Sequence, residues 1–200
     1  MNVTTGSVVS STNNASVDFD VVVVGGGPTG LAAALAMAST GARTAIAAPP
    51  HRPAGDRPDM RTAALFPGSV AMLRHIGAWD DVAASCAPLA GIRLVDDRDA
   101  LFRAPEVTFR ASEIGRADFG YNVPNGALVE ALVRRCRDAG SGVAMFDTAG
   151  VVAADIAGDR VTLTFAEGQR LTCSLVAAAD GRRSLLRAAA GITTRHWSYD

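Results

Sequence analysis

The chain has 200 residues, with 19 basic against 20 acidic side chains for a net charge of −1; 48% of it is hydrophobic and 20% charged. These are the proportions of a globular protein able to bury its own core, and the even charge argues against a nucleic-acid footprint, which shows as a basic excess. Neither the three cysteines (Cys86, Cys136, Cys173) nor the three histidines (His51, His75, His196) have the spacing of a disulfide framework or a metal site. No metal is therefore expected, and a reducing compartment such as the cytoplasm is the simpler expectation.

Met1–Ser16 is polar, uncharged and rich in Ser, Thr and Asn. It lacks the basic and apolar regions of a signal peptide, so residues 1–17 are expected to form a disordered tail. Asp20–Val24 is a β-branched run suited to a strand buried on both faces, and the Ala-rich stretch Leu31–Thr40 suits a helix laid against a sheet. Gly41 is placed to end that helix, and Arg43–Ala47 predicts a second strand, giving a β-α-β unit. Pro49–Pro58 is a proline-rich loop. Ser69–Ile76 predicts a helix with Val70, Leu73 and Ile76 on one face, and Ile92–Val95 and Val107–Phe109 predict strands around a charged turn. Asn125 is a candidate cap for a helix running to about Asp138, with Leu128, Leu132 and Cys136 as its inner stripe. Val143–Phe146 predicts another strand. Val151–Ile156, Val161–Phe165 and Leu171–Ala179 then form a meander, and Arg182–Ala190 predicts a helix that Gly191 ends.

Two motifs carry chemistry. Gly25, Gly27 and Gly30 form G-x-G-x-x-G between a predicted strand and a predicted helix: the first glycine permits the tight turn, the second close approach of a pyrophosphate, and the third close helix–strand packing. The helix start favours an anion there. An acid about twenty residues further on usually binds the adenosine ribose, but the end of the second strand falls on Ala47 and Ala48, and Asp56 and Asp59 come later, in the loop. The second motif is Asp180-Gly181, which ends the strand Leu171–Ala179 and is followed by Arg182, Arg183, Ser184 and Arg187. A carboxylate at a strand's carboxyl end can accept from ribose hydroxyls while an arginine tends phosphates. A helix cap with a solvated arginine face would use the same residues.

This Asp-Gly run resembles the fingerprint of FAD-dependent aromatic hydroxylases. The stretch Asp59-Met60-Arg61-Thr62-Ala63-Ala64-Leu65, with Ser69, Leu73 and Ile76-Gly77-Ala78-Trp79, is similar to the ubiquinone-biosynthesis monooxygenases of the UbiH/UbiF/Coq6 type. So are Phe119-Gly120-Tyr121-Asn122-Val123-Pro124-Asn125 and Gly191-Ile192 with Trp197 and Tyr199. The resemblance runs from about Asp18 to Asp200. It implies an α/β, Rossmann-like FAD-binding fold of three layers, with a parallel sheet and a β-meander, plus an incomplete substrate domain. Residues 18–195 would form the FAD-binding domain, 87–115 would lend strands to the substrate domain, and 196–200 would begin it.

The activity implied is hydroxylation of an aromatic ring, a ubiquinone precursor, with NAD(P)H as reductant and O2 as oxidant. By matching position, Gly25, Gly27 and Gly30 would hold the FAD pyrophosphate, Arg61 would lie near the flavin, and Asp180 and Gly181 would contact the nucleotide. No catalytic acid or base is marked. A lipid-tailed substrate would imply peripheral association with a membrane, and the match to the N-terminal half of such enzymes would imply a C-terminal half or a second copy as partner. Ala48 departs from the family pattern, as does Gly126, where arginine is usual. Alternatives on the same scaffold are another FAD oxidoreductase and a non-enzymatic nucleotide-binding or assembly subunit.

Overall fold

A run of four valines has no polar face to offer water, so it needs cover on both sides. In the computed structural model, which describes residues 17–51, 59–99 and 101–198, β1 (Phe19–Val24) occupies an interior position of a six-stranded sheet. Its alternation is divided between two cores: Val21 and Val23 pack among helices, while Val22 and Val24 pack on the opposite face. Residues 1–16 of the expected tail lie outside the described residues, as does Asp56.

From β1 the chain enters α1 (Pro28–Ala38) and returns as β2 (Thr44–Ala48), which pairs with β1 in parallel. A short antiparallel sheet follows, built from β3 (Thr62–Leu65), β4 (Ala87–Pro88) and β7 (Tyr121–Pro124), with β7 central. Between its strands lie α2 (Pro67–His75), α3 (Asp80–Ala83), and a hairpin of β5 (Gly91–Leu94) and β6 (Val107–Arg110). Trp79 is buried and meets Tyr121 edge-on, with ring centroids 5.1 Å apart.

Next come α4 (Asn125–Arg137) and β8 (Val143–Asp147), which adds in parallel beside β2. The meander of β9 (Val151–Ala157), β10 (Arg160–Phe165) and β11 (Arg170–Ala178) completes the main sheet in the order β8-β2-β1-β11-β10-β9. β11 is parallel to β1 and antiparallel to β10. The final helix is α5 (Leu185–Ala189).

The layers follow from the two cores. On one face, Leu31 and Leu35 of α1 and Leu128, Leu132 and Cys136 of α4 cover Val21, Val23 and Ile46. On the other, Val161, Leu163 and Phe165 of β10 pack with Val22, Val24, Ala45 and Ala47. Helices, parallel sheet and meander thus form the three layers of an α/β fold.

Two local expectations are corrected. Asn125 is the first helical residue of α4 rather than its cap: Pro124 occupies the cap position, and the Asn125 amide donates to the Arg61 carbonyl at 3.0 Å. The last helix starts at Leu185 rather than Arg182, because Gly181 has a φ of +83° and Ser184 takes the cap position, its hydroxyl accepting from the Arg187 amide at 2.9 Å.

Candidate functional site: a groove at the carboxyl ends of the parallel strands

The sheet reverses its direction of growth at β1, with β2 on one side and β11 on the other. In open α/β sheets such a switch point leaves a crevice beyond the strand ends, where ligands settle. Here the ladder continues past the strands: the Gly25 amide donates to the Ala47 carbonyl at 2.9 Å and the Ala179 amide donates to the Val24 carbonyl at 2.8 Å. The glycine turn and the Asp180-Gly181 turn, distant in sequence, are thereby fixed side by side.

Each glycine of the turn has a separate steric duty. Gly25 has a φ of +125°, and a Cβ there would overlap the Ala179 carbonyl. A Cβ on Gly30 would overlap the Gly25 carbonyl and approach the Ala179 Cβ at 3.2 Å. These two positions let β1, α1 and β11 pack. Gly27 differs: a Cβ there meets nothing within 4 Å, and its backbone (φ −77°) is of a kind any residue adopts. It faces open space at the start of α1, as a backbone that must approach a phosphate does.

The groove consists of two adjoining cavities of about 460 and 360 Å³ that share Gly26, Gly27, Ala48 and Pro49. Both lie in the range of small-molecule and cofactor sites. The first is also lined by Gly25, Gly150, Asp180, Gly181 and Arg183, and the second by His51, Met145 and Asp147. Asp180 accepts from the Leu186 amide through Oδ2 at 3.3 Å, while its Oδ1 is buried without a hydrogen-bond partner among the described residues. An orphaned buried carboxylate oxygen costs free energy unless a ligand donates to it. The open Gly27 cradle and this unsatisfied acceptor fit a nucleotide that brings phosphates and hydroxyl donors.

Of the residues singled out in the sequence, Gly25, Gly27, Asp180 and Gly181 line the groove, and Gly30 supports it from α1. Arg61 does not line it. It precedes β3, and its guanidinium is 82% exposed and bound to Asp59 through Nε–Oδ1 and Nη2–Oδ2 contacts of 2.8 Å each. That pairing holds the Asp59 carboxyl well below the ordinary carboxylate range. Sequence reasoning passed over Asp147, since only the pairing of β8 with β2 brings it to the groove. Among the described residues no group of His, Cys, Asp and Glu is arranged to hold a metal ion, and no helix is long and apolar enough to cross a membrane.

Residues 18–199 match the family described as FAD binding domain. The chain belongs to this family. It is a member of the FAD-dependent monooxygenase superfamily, related to the UbiH/UbiL/Coq6-like proteins. It is 30% identical over 184 residues to 3-demethoxyubiquinol 3-hydroxylase of Escherichia coli (strain K12), covering 90% of this chain and 46% of that enzyme. It is 30% identical over 203 residues to ubiquinone hydroxylase UbiL of Rhodospirillum rubrum, covering 98% of this chain and 44% of that protein. The chain thus spans less than half the length of either relative. The fold is shared with p-nitrophenol 4-monooxygenase PnpA from Pseudomonas putida DLL-E4, at a TM-score of 0.66 and 24% identity over 86% of this chain and 43% of that one.

Proposed function

We propose that this FAD-binding domain serves an NAD(P)H- and O2-dependent hydroxylation of an aromatic ring of the ubiquinone-precursor class. The observation that carries the cofactor assignment is the buried, unpartnered Asp180 Oδ1 beside a glycine turn whose Gly27 stands open. The names of the relatives, 3-demethoxyubiquinol 3-hydroxylase and ubiquinone hydroxylase, support the substrate class.

Bound FAD would supply electron transfer from a nicotinamide donor and activation of oxygen. The chain's own residues would bind and orient it. Amides of the Gly25–Gly27 turn and the start of α1 would receive the pyrophosphate, Asp180 would accept from nucleotide hydroxyls, and Arg183 would add positive charge at the rim. Arg61 is assigned to the flavin by resemblance alone. The substrate is an aromatic small molecule, with a lipid tail implying peripheral membrane contact.

The test is titration of the purified chain with FAD, followed by flavin fluorescence, with NAD as control, and then oxygen consumption driven by NADH or NADPH in the presence of an aromatic acceptor. Saturable, FAD-selective binding supports the cofactor assignment. A folded chain that binds no FAD overturns it. Oxygen uptake that rises with the aromatic acceptor and yields a hydroxylated product supports the reaction.

A further inference from the structure

We propose that Asp147 supplies the carboxylate that holds the adenosine ribose of the dinucleotide, the duty that an acid at position 48 performs in the usual pattern. The inference rests on the FAD-binding reading above and assigns one contact within it.

Alternation along β8 places the side chain. Val143 and Met145 pack into the helix-side core, whereas Ala144 and Phe146 pack into the meander-side core. Asp147 follows in the helix-side series. In β2, Ile46 belongs to that same core and Ala48 follows it in the same series. The parallel register pairs Ala48 directly with Asp147, and the Thr148 amide donates to the Ala48 carbonyl at 3.0 Å, so the pairing holds to the strand ends. Neighbouring strands are about 4.8 Å apart. The carboxylate that position 48 lacks is therefore present one strand over, on the same face and at the same level.

The surroundings agree. Ala48 and Asp147 line the same cavity, together with Gly26 and Gly27. A Cβ on Gly26 would stand 2.8 Å from the Ala48 Cβ, so the glycine turn sits directly beside position 48. Asp147 is exposed and takes no hydrogen bond or ion pair among the described residues, which leaves both of its oxygens able to accept from a ribose diol. Asp59 is unsuited to this role: it is bound to Arg61 and lines neither cavity.

The experiment compares equilibrium binding of FAD, ADP and 2′,3′-dideoxyadenosine diphosphate to the full chain and to Asp147→Asn. The wild-type chain is expected to prefer ADP over the dideoxy analogue by about tenfold, a preference that needs no variant to measure. Asp147→Asn should weaken FAD and ADP by ~10- to ~100-fold and bind the two diphosphates alike. Adding Ala48→Glu to that variant should restore the preference for ADP. An unchanged thermal midpoint confirms that the variant is folded. Equal wild-type affinity for the two diphosphates, or a variant that binds FAD as the wild type does, overturns the role of Asp147 while leaving FAD binding intact. A wild-type chain that binds neither FAD nor ADP overturns the underlying reading, and this assignment with it.

Discussion

The Thr148 hydroxyl donates to Glu167 Oε2 at 2.7 Å, so a carboxylate in the turn between β10 and β11 anchors the loop that leaves β8. The same carboxylate accepts from the Ala149 amide through Oε1 at 2.7 Å. Ala149, Gly150 and Val151 form one wall of the groove, so this clasp fixes a wall from outside.

The clasp should make stability pH-dependent. Hydrogen bonds from the Ala149 amide and the Thr148 hydroxyl hold the Glu167 carboxyl below its ordinary value of 4.5. A carboxyl with a depressed folded value contributes stability that is present above its unfolded value and is lost as pH falls through the folded one. Glu167→Gln should therefore lower the thermal midpoint at about pH 7, and the gap should narrow as pH falls below the ordinary value of 4.5. Melting curves of both proteins across that range check this, and a gap that persists undiminished in acid would overturn it.

The glycine turn should separate folding from binding. Gly30→Ala places a methyl group against the Gly25 carbonyl and should destabilise the chain by about 1–3 kcal/mol. Gly27→Ala meets open space with an ordinary backbone and should cost at most about 1 kcal/mol, for the loss of a favoured residue at the helix cap. Its methyl group would occupy room that the phosphates need, so FAD affinity should fall. Urea unfolding alongside FAD titration distinguishes the two glycines.

Asp180→Asn keeps the shape of the side chain and removes its charge. The variant should melt close to the wild type, because Oδ1 has no partner to lose. FAD should bind about 10- to 100-fold more weakly, the scale of a hydrogen bond to a charged group. Equal affinity in the two proteins would remove Asp180 from the nucleotide site.

The cysteines should be quiet in the folded chain. Burial pushes the Cys136 thiol up to about 11, and burial also raises Cys173 and Cys86. Reaction requires the thiolate and access to it, so a disulfide reagent at about pH 8 should label Cys136 and Cys173 only as fast as the chain opens. Rapid labelling of either residue, with the rest of the fold intact, would contradict this.

How much of this the sequence discloses depends on what fixes each element. The glycine turn and Asp180-Gly181 are legible because steric overlap at Gly25 and Gly30, and a left-handed backbone at Gly181, leave few other residues possible. The helix-side stripe of α4 is legible because Leu128, Leu132 and Cys136 recur at helical spacing. The sheet of β3, β4 and β7 is not. Thr62–Leu65 is Ala-rich and Ala87–Pro88 is two residues long, so neither carries a strand pattern. Pairing with Tyr121–Pro124 makes them strands. Asp147 is silent for a similar reason, since its meaning depends on which strand lies beside it. Even the missing acid at position 48 is visible in the sequence, but where another carboxylate stands is not.

The placement of β11 beside β1 also has a consequence for how the protein is made. Gly25–Gly27 are made first, and the opposite wall of their groove, Ala179–Gly181, follows more than 150 residues later. Until then β1 lacks one of its two parallel neighbours and its valines lack the cover of β10. Pairings this distant in sequence close slowly, and a hydrophobic strand left half-covered is prone to aggregate. The nascent chain thus carries the valines of β1 half-covered until β10 and β11 have been made, and this cradle can take hold of a nucleotide only after that interval has passed.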